Sequence, residues 1–433
     1  MLEKRLVSER IGKIRPESIE DYIESGGYKT LEKAFDKTRI EILEEIEASR
    51  LRGRGGAGFP VAVKMMGMAK ESRTPKYVVC NADEGEPGNF KDRYLMENDP
   101  HHILEGMIIA AYATMASQGY IYIRGEYNQS IKTLRQAVKA AREKGYLGKD
   151  ILGSGFDFDI EIRSGAGSYV CGEEFSLLES IEGKPGHTRV KPPFPTEKGL
   201  FGHPTLINNV ETFSTLPLIM EMGGKKYAGI GTESSTGTKL ISLSGNVKNK
   251  GVFEVPYGLP LRTIIKELGG GVPAGRKLKM VQLGGACGPI IPEYMLDMIM
   301  DFERFEEFDS KVGAGAIIVI DDRYDIFEIL KRTSEFFSHE SCGKCTPCRE
   351  GNTHLKNLVN KFQRYEATER DLHLIENLAR VMHQTSLCGL GQTAPTAVIS
   401  TLHYFRSEYL DRIEKSYAKE AHDGQYQDQQ PDA

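Results

Sequence analysis

No segment of this chain is long and apolar enough to span a bilayer as a helix. The longest apolar run, Met107 to Ala116, is about half of the ~20 residues a spanning helix needs. The N-terminus, MLEKRLVSERIGKIRPESIE, mixes acids and bases and lacks the apolar core of a secretory signal. Positive charge is not in excess: 56 basic side chains face 61 acidic ones, a net charge of −5, which argues against nucleic-acid binding. The ten histidines include no HxxxH pair. His339, close to a cysteine run, reads more simply as a surface or core side chain. There is no internal repeat, and no second cysteine run of the kind a fused ferredoxin domain would need. What remains is a chain expected to be soluble and cytoplasmic, with no membrane span of its own. At 433 residues it is long enough for two or three domains, each with its own core.

Cysteine is sparse but placed. Of seven cysteines, three form the run Cys342-Gly-Lys-Cys345-Thr-Pro-Cys348, and Cys388 is the only later one. Three cysteines spaced by two residues resemble the ligand run of bacterial ferredoxins, which holds three corners of a cubane cluster. Cys388 supplies the fourth corner on that reading. Structural zinc is the rival, although it usually takes two paired knuckles rather than a triple run plus a lone cysteine. Cys388 is followed by Gly rather than Pro, so a single cluster on a different scaffold is expected. Cys80, Cys171 and Cys287 are far apart in sequence, and a reduced setting accounts for them without disulfides.

Along the chain, residues 1–50 read as an N-terminal helical segment. A glycine-dense loop, Gly53 to Pro60, follows. Strands at Tyr77–Cys80, Tyr120–Arg124 and Phe156–Arg163 alternate with helices at His101–Ser117 and Ser130–Lys144. This alternation implies a mainly parallel sheet covered on both faces, over 51–235. Residues 184–205 are rich in Pro and Gly, and residues 229–238 read as a linker. Two strands within Leu240–Gly258, a helix at Leu261–Leu268 and a strand at Lys277–Leu283 suggest a small grasp-like domain over 236–325. Residues 326–420 read as helical, with the cysteines at helix ends. The polar tail, 421–433, is expected to be disordered.

Three strand-end loops carry candidate chemistry. Gly53-Arg54-Gly55-Gly56-Ala57-Gly58 matches GxGxxG, but a charged helix precedes it where the dinucleotide fingerprint needs a strand. Its backbone N–H groups can still approach a phosphate, with Arg54 and Lys64 adding charge. The alternative is a flexible turn. Asn81, Asp83, Glu84 and Glu86 follow a strand, at the edge where open α/β sheets bind ligands. They could hold a metal, form a solvated turn, or bond the hydroxyl-rich part of a cofactor. The stretch Gly165 to Glu174 repeats this at another strand end: Tyr169 can stack or hydrogen-bond there, and Glu173-Glu174 start a helix whose dipole favours acids anyway. Asn208, Asn209 and Thr212 offer amides and a hydroxyl, or an ordinary helix cap.

Taken together, the segments LRGRGGAGFP, CNADEGEPGNFKDR, SGAGSYVCGEE, PPFP, PTLINNVET, ESCGKCTPCREG and SLCGLGQ resemble the NADH- and flavin-binding subunit of respiratory complex I, over the stretch Gly26 to Ile413. The resemblance implies a modified Rossmann-like domain binding FMN and NADH, a ubiquitin-like β-grasp domain, and a C-terminal helical bundle carrying one [4Fe–4S] cluster. It places Gly53, Arg54, Gly55, Gly56, Lys64, Asn81, Asp83, Glu84, Tyr169, Gly172, Glu173, Asn208, Asn209 and Thr212 at FMN positions. Phe59, Glu86, Glu174, Lys191 and Phe194 fall at NADH positions. Cys342, Cys345, Cys348 and Cys388 fall at cluster positions. Val61-Ala62-Val63 depart from the Thr-Gly-aromatic pattern common around Lys64.

The expected function is NADH dehydrogenation: hydride to FMN, then single electrons to the cluster and to partner chains. The resemblance names those partners as a thioredoxin-like [2Fe–2S] subunit and a larger iron–sulfur subunit, with quinone as the final acceptor and a location peripheral to the inner membrane. Two rival readings are the matching subunit of an NAD-linked hydrogenase or formate dehydrogenase, and a flavin-free scaffold stabilised by zinc.

Overall fold

The computed structural model describes residues 2–306 and 312–427. Four strands, β1 (Tyr77–Ala82), β2 (Gln118–Arg124), β3 (Asp159–Gly165) and β4 (Thr205–Asn209), form a wholly parallel sheet in the order β3-β2-β1-β4. The three strands β1, β2 and β4 are buried on both faces because their residues alternate between two cores, while β3 is a largely exposed edge. Val78, Cys80, Ala82, Ile121 and Leu206 join helices Pro100–Thr114 and Val210–Met222 on one side. Val79, Tyr120, Tyr122 and Ile207 join Phe175, Leu178 and the C-terminal helices on the other. The parallel, doubly covered α/β sheet expected from the alternation is therefore present. β1 lies between β2 and β4, and the loops that follow these strands gather at their carboxyl ends, the edge where open α/β sheets bind ligands.

The helices at Ile19–Glu24, Lys29–Phe35 and Arg39–Ala48 pack into the same core as the first sheet, through Tyr22, Leu31, Ile42 and Ile46. Thr38 starts the third with a reciprocal cap to Glu41.

A second sheet follows, with β5 (Thr238–Gly245), β6 (Gly251–Pro256), β7 (Leu278–Leu283), β8 (Ile290–Pro292) and β9 (Ala316–Asp321) in the order β6-β5-β9-β7-β8. β5 and β9 are parallel and the other pairs antiparallel. The central strand, β9, has no counterpart in the sequence reading. Its run AIIVID is mostly buried and so lacks the alternation that marks a half-exposed strand. The helix expected at Leu261–Leu268 begins as α and widens to a π turn at Ile264–Leu268. The stretch 229–238, read as a linker, is packed instead: Ser235 and Thr236 are buried, and Thr236 Oγ1 donates to Ser49 O at 2.9 Å. Its hydroxyls satisfy buried backbone rather than water.

The C-terminal part is a bundle of helices Ile326–Glu340, Thr346–Gln363, Glu369–Thr385, Gly389–Thr393, Thr396–Tyr404 and Arg406–Gln427. Asp325 and Thr368 cap two of them. Phe327 stacks on Phe362 at 5.6 Å, and Tyr409 meets both rings edge-on. The last helix runs to Gln427, past the point where the tail was expected to lose structure; 428–433 lie outside the described residues. Among the described residues no helix is long and apolar enough to cross a membrane.

Candidate functional site

A cavity of about 340 Å³ opens at the carboxyl ends of the parallel strands. All three parts of the chain wall it. The first sheet contributes Gly55, Gly56, Asn81, Asp83, Glu84, Glu86, Tyr169, Gly172, Glu173 and Asn209. The second contributes Gly284, Cys287, Gly288, Pro289, Gly313 and Ala314, and the bundle His383, Gly389, Leu390, Gln392, Thr393 and Thr396. Sequence reasoning missed the last two groups. The only signals were the glycine clusters LGGACGP and GAGA at strand ends and the residues just after Cys388.

The acids differ in what they are free to do. Glu84 accepts from Asp92 N and Arg93 N at 2.8 and 2.9 Å and so caps helix Lys91–Asn98. Glu173 caps helix Glu174–Ile181 through Phe175 N and Ser176 N, both at 3.0 Å. Glu86 accepts from Tyr169 OH at 2.7 Å and from Cys287 N at 2.8 Å, with Cys287 Sγ at 3.0 Å. Asp83 is the exception. Its Oδ2 is buried with no partner. Burial raises its pKa to about 7, against the opposing pull of Arg124.

Behind the cavity lies a buried ionic network. Lys91 Nζ is 2.6 Å from Asp92, 3.0 Å from Glu211 and 3.1 Å from Asn209 Oδ1. Lys239, at the start of the second sheet, meets the same Glu211 carboxylate at 2.5 Å. Burial draws Lys239 down to about 7, a fall that Glu211 opposes and Lys91 reinforces. The network joins the two sheets and fixes Asn209, whose Nδ2 donates to Asp92 at 2.7 Å.

Comparison with known proteins follows this geometry closely. Residues 46–218 match the Nuo51 FMN-binding domain, and residues 328–412 match the NADH-ubiquinone oxidoreductase-F iron-sulfur binding region. The mitochondrial NADH-ubiquinone oxidoreductase 51 kDa subunit of Neurospora crassa is 43% identical, over 86% of this chain and 77% of its own length. The NADP-reducing hydrogenase subunit HndC of Solidesulfovibrio fructosivorans is 44% identical, over 95% of this chain and 84% of its own. The chain belongs to the NADH-quinone oxidoreductase 51 kDa family. Among solved structures, that of an NAD+-reducing [NiFe]-hydrogenase in the H2-reduced state superposes with a TM-score of 0.82 at 33% identity, over 95% of this chain and 67% of that one. A member of the 51 kDa family is an FMN- and [4Fe–4S]-containing oxidoreductase acting on NADH, and this chain is one.

The cavity fits the family's flavin. Gly56 adopts φ +123°, and a Cβ on Gly55 would lie 2.9 Å from Asn209 Cβ, so glycine lets this loop close over a ligand. Asp83 Oδ2, on the cavity wall, is buried without a partner, an acceptor of the kind that ligand hydroxyls satisfy.

Not every expected contact points inward. The Arg54 guanidinium is buried away from the cavity, donating to Tyr227 OH at 3.0 Å and Thr236 O at 2.6 Å, while its backbone N donates to Thr212 Oγ1 at 2.9 Å. The phosphate-binding charge expected of it is spent on aromatic and backbone oxygens, because its loop is anchored to the packed 229–238 segment. Gly53, Arg54, Lys64, Asn208 and Thr212 stand behind the wall rather than on it. Lys64 donates to Glu174 at 2.7 Å and to Ile207 O at 2.9 Å. Lys191 reaches the other Glu174 oxygen at 2.8 Å. Phe59 and Phe194 are 49% and 51% exposed, an unusual setting for large apolar rings.

The cluster cysteines gather at helix ends, as expected. Cys345 precedes helix Thr346–Gln363, Cys348 lies in its first turn, and Cys388 precedes Gly389–Thr393. Cys348 Sγ lies 3.3 Å from both Ser341 Oγ and Asn352 Nδ2. Burial raises the Cys348 thiol to about 11, Ser341 opposes this, and Cys345, Cys388 and Cys342 add to the rise because all three surround it. Among the described residues no three ligating side chains are close enough for a single metal ion. Residues 328–412, which match the family's iron-sulfur binding region, contain all four of these cysteines.

Proposed function

We propose that this chain is the NADH-oxidising module of a respiratory complex I. The observation that carries the reading is the shared cavity: the residues after Cys388 form one wall, opposite the strand-end loops of the flavin domain. A two-electron site and a one-electron carrier are thereby neighbours. FMN, when bound, takes hydride from NADH and releases electrons singly, which is chemistry the cofactor supplies.

The chain's own residues do the rest. Gly55 and Gly56 let backbone approach the ligand, and Asn81, Asp83, Asn208 and Asn209 offer amide and carboxylate partners to its hydroxyls and ring edge. Gly53, Arg54, Lys64, Glu84, Gly172, Glu173 and Thr212 hold those groups in place. Phe59 and Phe194 flank the nucleotide at the mouth, with Glu174 and Lys191 beside them. Glu86 and Tyr169 fix the inner wall, and Cys342, Cys345, Cys348 and Cys388 ligate the cluster. On this reading residues 51–235, 236–325 and 326–420 are the flavin, grasp and cluster domains.

A cluster with no further centre in the chain needs an outside acceptor. The partners are a thioredoxin-like [2Fe–2S] subunit and a larger iron–sulfur subunit, quinone is the final acceptor, and the chain is cytoplasmic, peripheral to the inner membrane. The similarity to hydrogenase subunits keeps a hydrogenase diaphorase as the second reading. The flavin-free zinc scaffold gives way to the FMN-domain match. Purification of the native complex decides: co-purifying quinone-reductase subunits support complex I, and a hydrogenase large subunit supports the alternative. The isolated chain should reduce ferricyanide and not quinone.

A further inference from the structure

Helix Ile326–Glu340 ends two residues before Cys342, and its last residue is an acid. That is the wrong end of a helix for a carboxylate, because the dipole there is negative. The Glu340 carboxylate is nevertheless held in place from the far side of the cavity wall. Its Oε2 accepts from Tyr169 N at 2.9 Å and from Ser168 Oγ at 3.3 Å. The Tyr169 ring packs 5.2 Å from Phe336 on the same helix, lines the cavity, and donates its hydroxyl to Glu86. Beyond Glu340, Ser341 Oγ touches both Gly343 N and Cys348 Sγ, each at 3.3 Å.

One continuous line of contacts thus runs from Glu86 through Tyr169 and Glu340 to the cysteine loop. A second strut lies beside it. Lys344, between Cys342 and Cys345, donates through Nζ to Thr188 O at 2.6 Å, in the Pro-rich loop that carries Lys191 and Phe194. The Tyr169 loop and the Pro-rich loop are therefore each hydrogen-bonded to the segment that carries Cys342 and Cys345.

We infer that Glu340, seconded by Lys344, is a positioning residue that couples occupancy of the nucleotide cavity to the order of the cluster loop. Two donors from adjacent residues, Ser168 and Tyr169, converge on one Glu340 oxygen, so the side chain fixes that loop at two points even from an unfavourable helix end. A ligand that fixes Tyr169 and the 184–195 loop must then also steady residues 341–348. The inference rests on the assignment of the cavity to flavin and nucleotide and of the four cysteines to the cluster.

The test is hydrogen–deuterium exchange by mass spectrometry on the flavin- and iron-loaded chain, with and without NAD+. In the wild-type protein NAD+ should slow exchange severalfold at 165–172 and also at 341–348. In Glu340→Ala, protection at 165–172 should persist while that at 341–348 is lost. Glu340→Gln keeps a carbonyl acceptor and should restore the coupling, which loss of packing alone would not explain. Lys344→Met, which leaves the Ser341 and Asn352 contacts of Cys348 in place, should halve the effect or more, and carries the test if Glu340→Ala does not retain iron. On rapid mixing with NADH, Glu340→Ala should bleach the flavin at the wild-type rate and reduce the cluster more slowly. Unchanged protection of 341–348 in both the Glu340→Ala and Lys344→Met variants, or none in the wild type, overturns the inference. Wild-type protein that takes up neither FMN nor iron overturns the site assignment beneath it.

Discussion

Lys64 and Glu174 are joined at 2.7 Å across 110 residues of sequence, and Lys191 closes on the other carboxylate oxygen at 2.8 Å. Burial alone would raise the Glu174 pKa, but the two ammonium groups outweigh it and bring it down to about 2. The carboxylate is therefore ionised throughout the physiological range. Its charge is already met by two cations, so it repels a further anion less than a lone acid would.

That pairing sharpens a prediction about nucleotide choice. Glu174→Gln removes one negative charge, leaving Lys64 without its acid and Lys191 with only Glu173 at 3.5 Å, a change that welcomes the 2′-phosphate of NADPH. Two unit charges at ~4 Å interact by on the order of 4 kcal/mol at an effective dielectric near 20, and solvent reduces this to a value worth roughly tenfold. The NADPH-to-NADH ratio of kcat/KM should rise by about that factor in protein with normal FMN and iron. A ratio that does not rise would leave Glu174 a helix-start acid only.

Phe59 and Phe194 are half exposed on loops of unusual composition. Alanine at either should raise KM for NADH severalfold with little change in kcat, the signature of lost uniform binding. Steady-state kinetics of both variants is the check, and an unchanged KM in both would remove these rings from the nucleotide site.

Asp83 couples the site to pH. Its folded pKa, about 7, lies above the unfolded value of about 3.9. Between these values the native state binds more protons at this group than the unfolded one, so the contribution of Asp83 to apoprotein stability is most favourable below about pH 4 and falls as pH rises toward 7. Asp83→Asn should flatten that fall. The variant apoprotein should melt higher than wild type at pH 8 and about equally near pH 4, while binding FMN more weakly. Melting curves against pH, with flavin titrations, test both parts.

Glu211 is the shared counter-ion of Lys91 and Lys239. Replacing it with Gln leaves Lys91 with Asp92 and takes from buried Lys239 the acid it pairs with. Breaking a buried pair in this way costs about 3–5 kcal/mol. Chemical denaturation should show a loss of that order, and FMN should dissociate more readily because Asn209 loses its fixed setting. A loss under about 1 kcal/mol, the range of an exposed pair, would mean that the network contributes little to joining the two sheets.

Each of the four cluster cysteines should be needed for iron and not for flavin. Cys388→Ala is the informative variant, because Cys388 lies far along the chain from the run. It should lose the reduced-cluster EPR signal and most of its iron while retaining FMN. An unaltered signal and undiminished iron would assign the fourth corner elsewhere.

Much of this was legible in the sequence because it is local. The CxxCxxC run, the glycine loop, the strand-end acids and the alternation of strands with helices all depend on near neighbours in the chain. The parallel sheet and the presence of an iron–sulfur region could therefore be read without a structure. Element β9 could not, since a strand buried on both faces has no periodicity to betray it.

Tertiary structure decided which groups are free. The sequence offered Arg54 to a phosphate, and the fold turns its guanidinium to Tyr227 and Thr236. It offered Glu84, Glu173 and Asp83 as equals, and the fold spends the first two on helix caps and leaves only Asp83 Oδ2 without a partner. Only the glycine clusters around Cys287 and Gly313 hinted that these residues wall the same cavity as Asn81, and nothing signalled that Glu340 grips Tyr169. A side chain's chemistry is set by its residue type, but its availability is set by which donors and acceptors reach it first, and those come from distant parts of the chain.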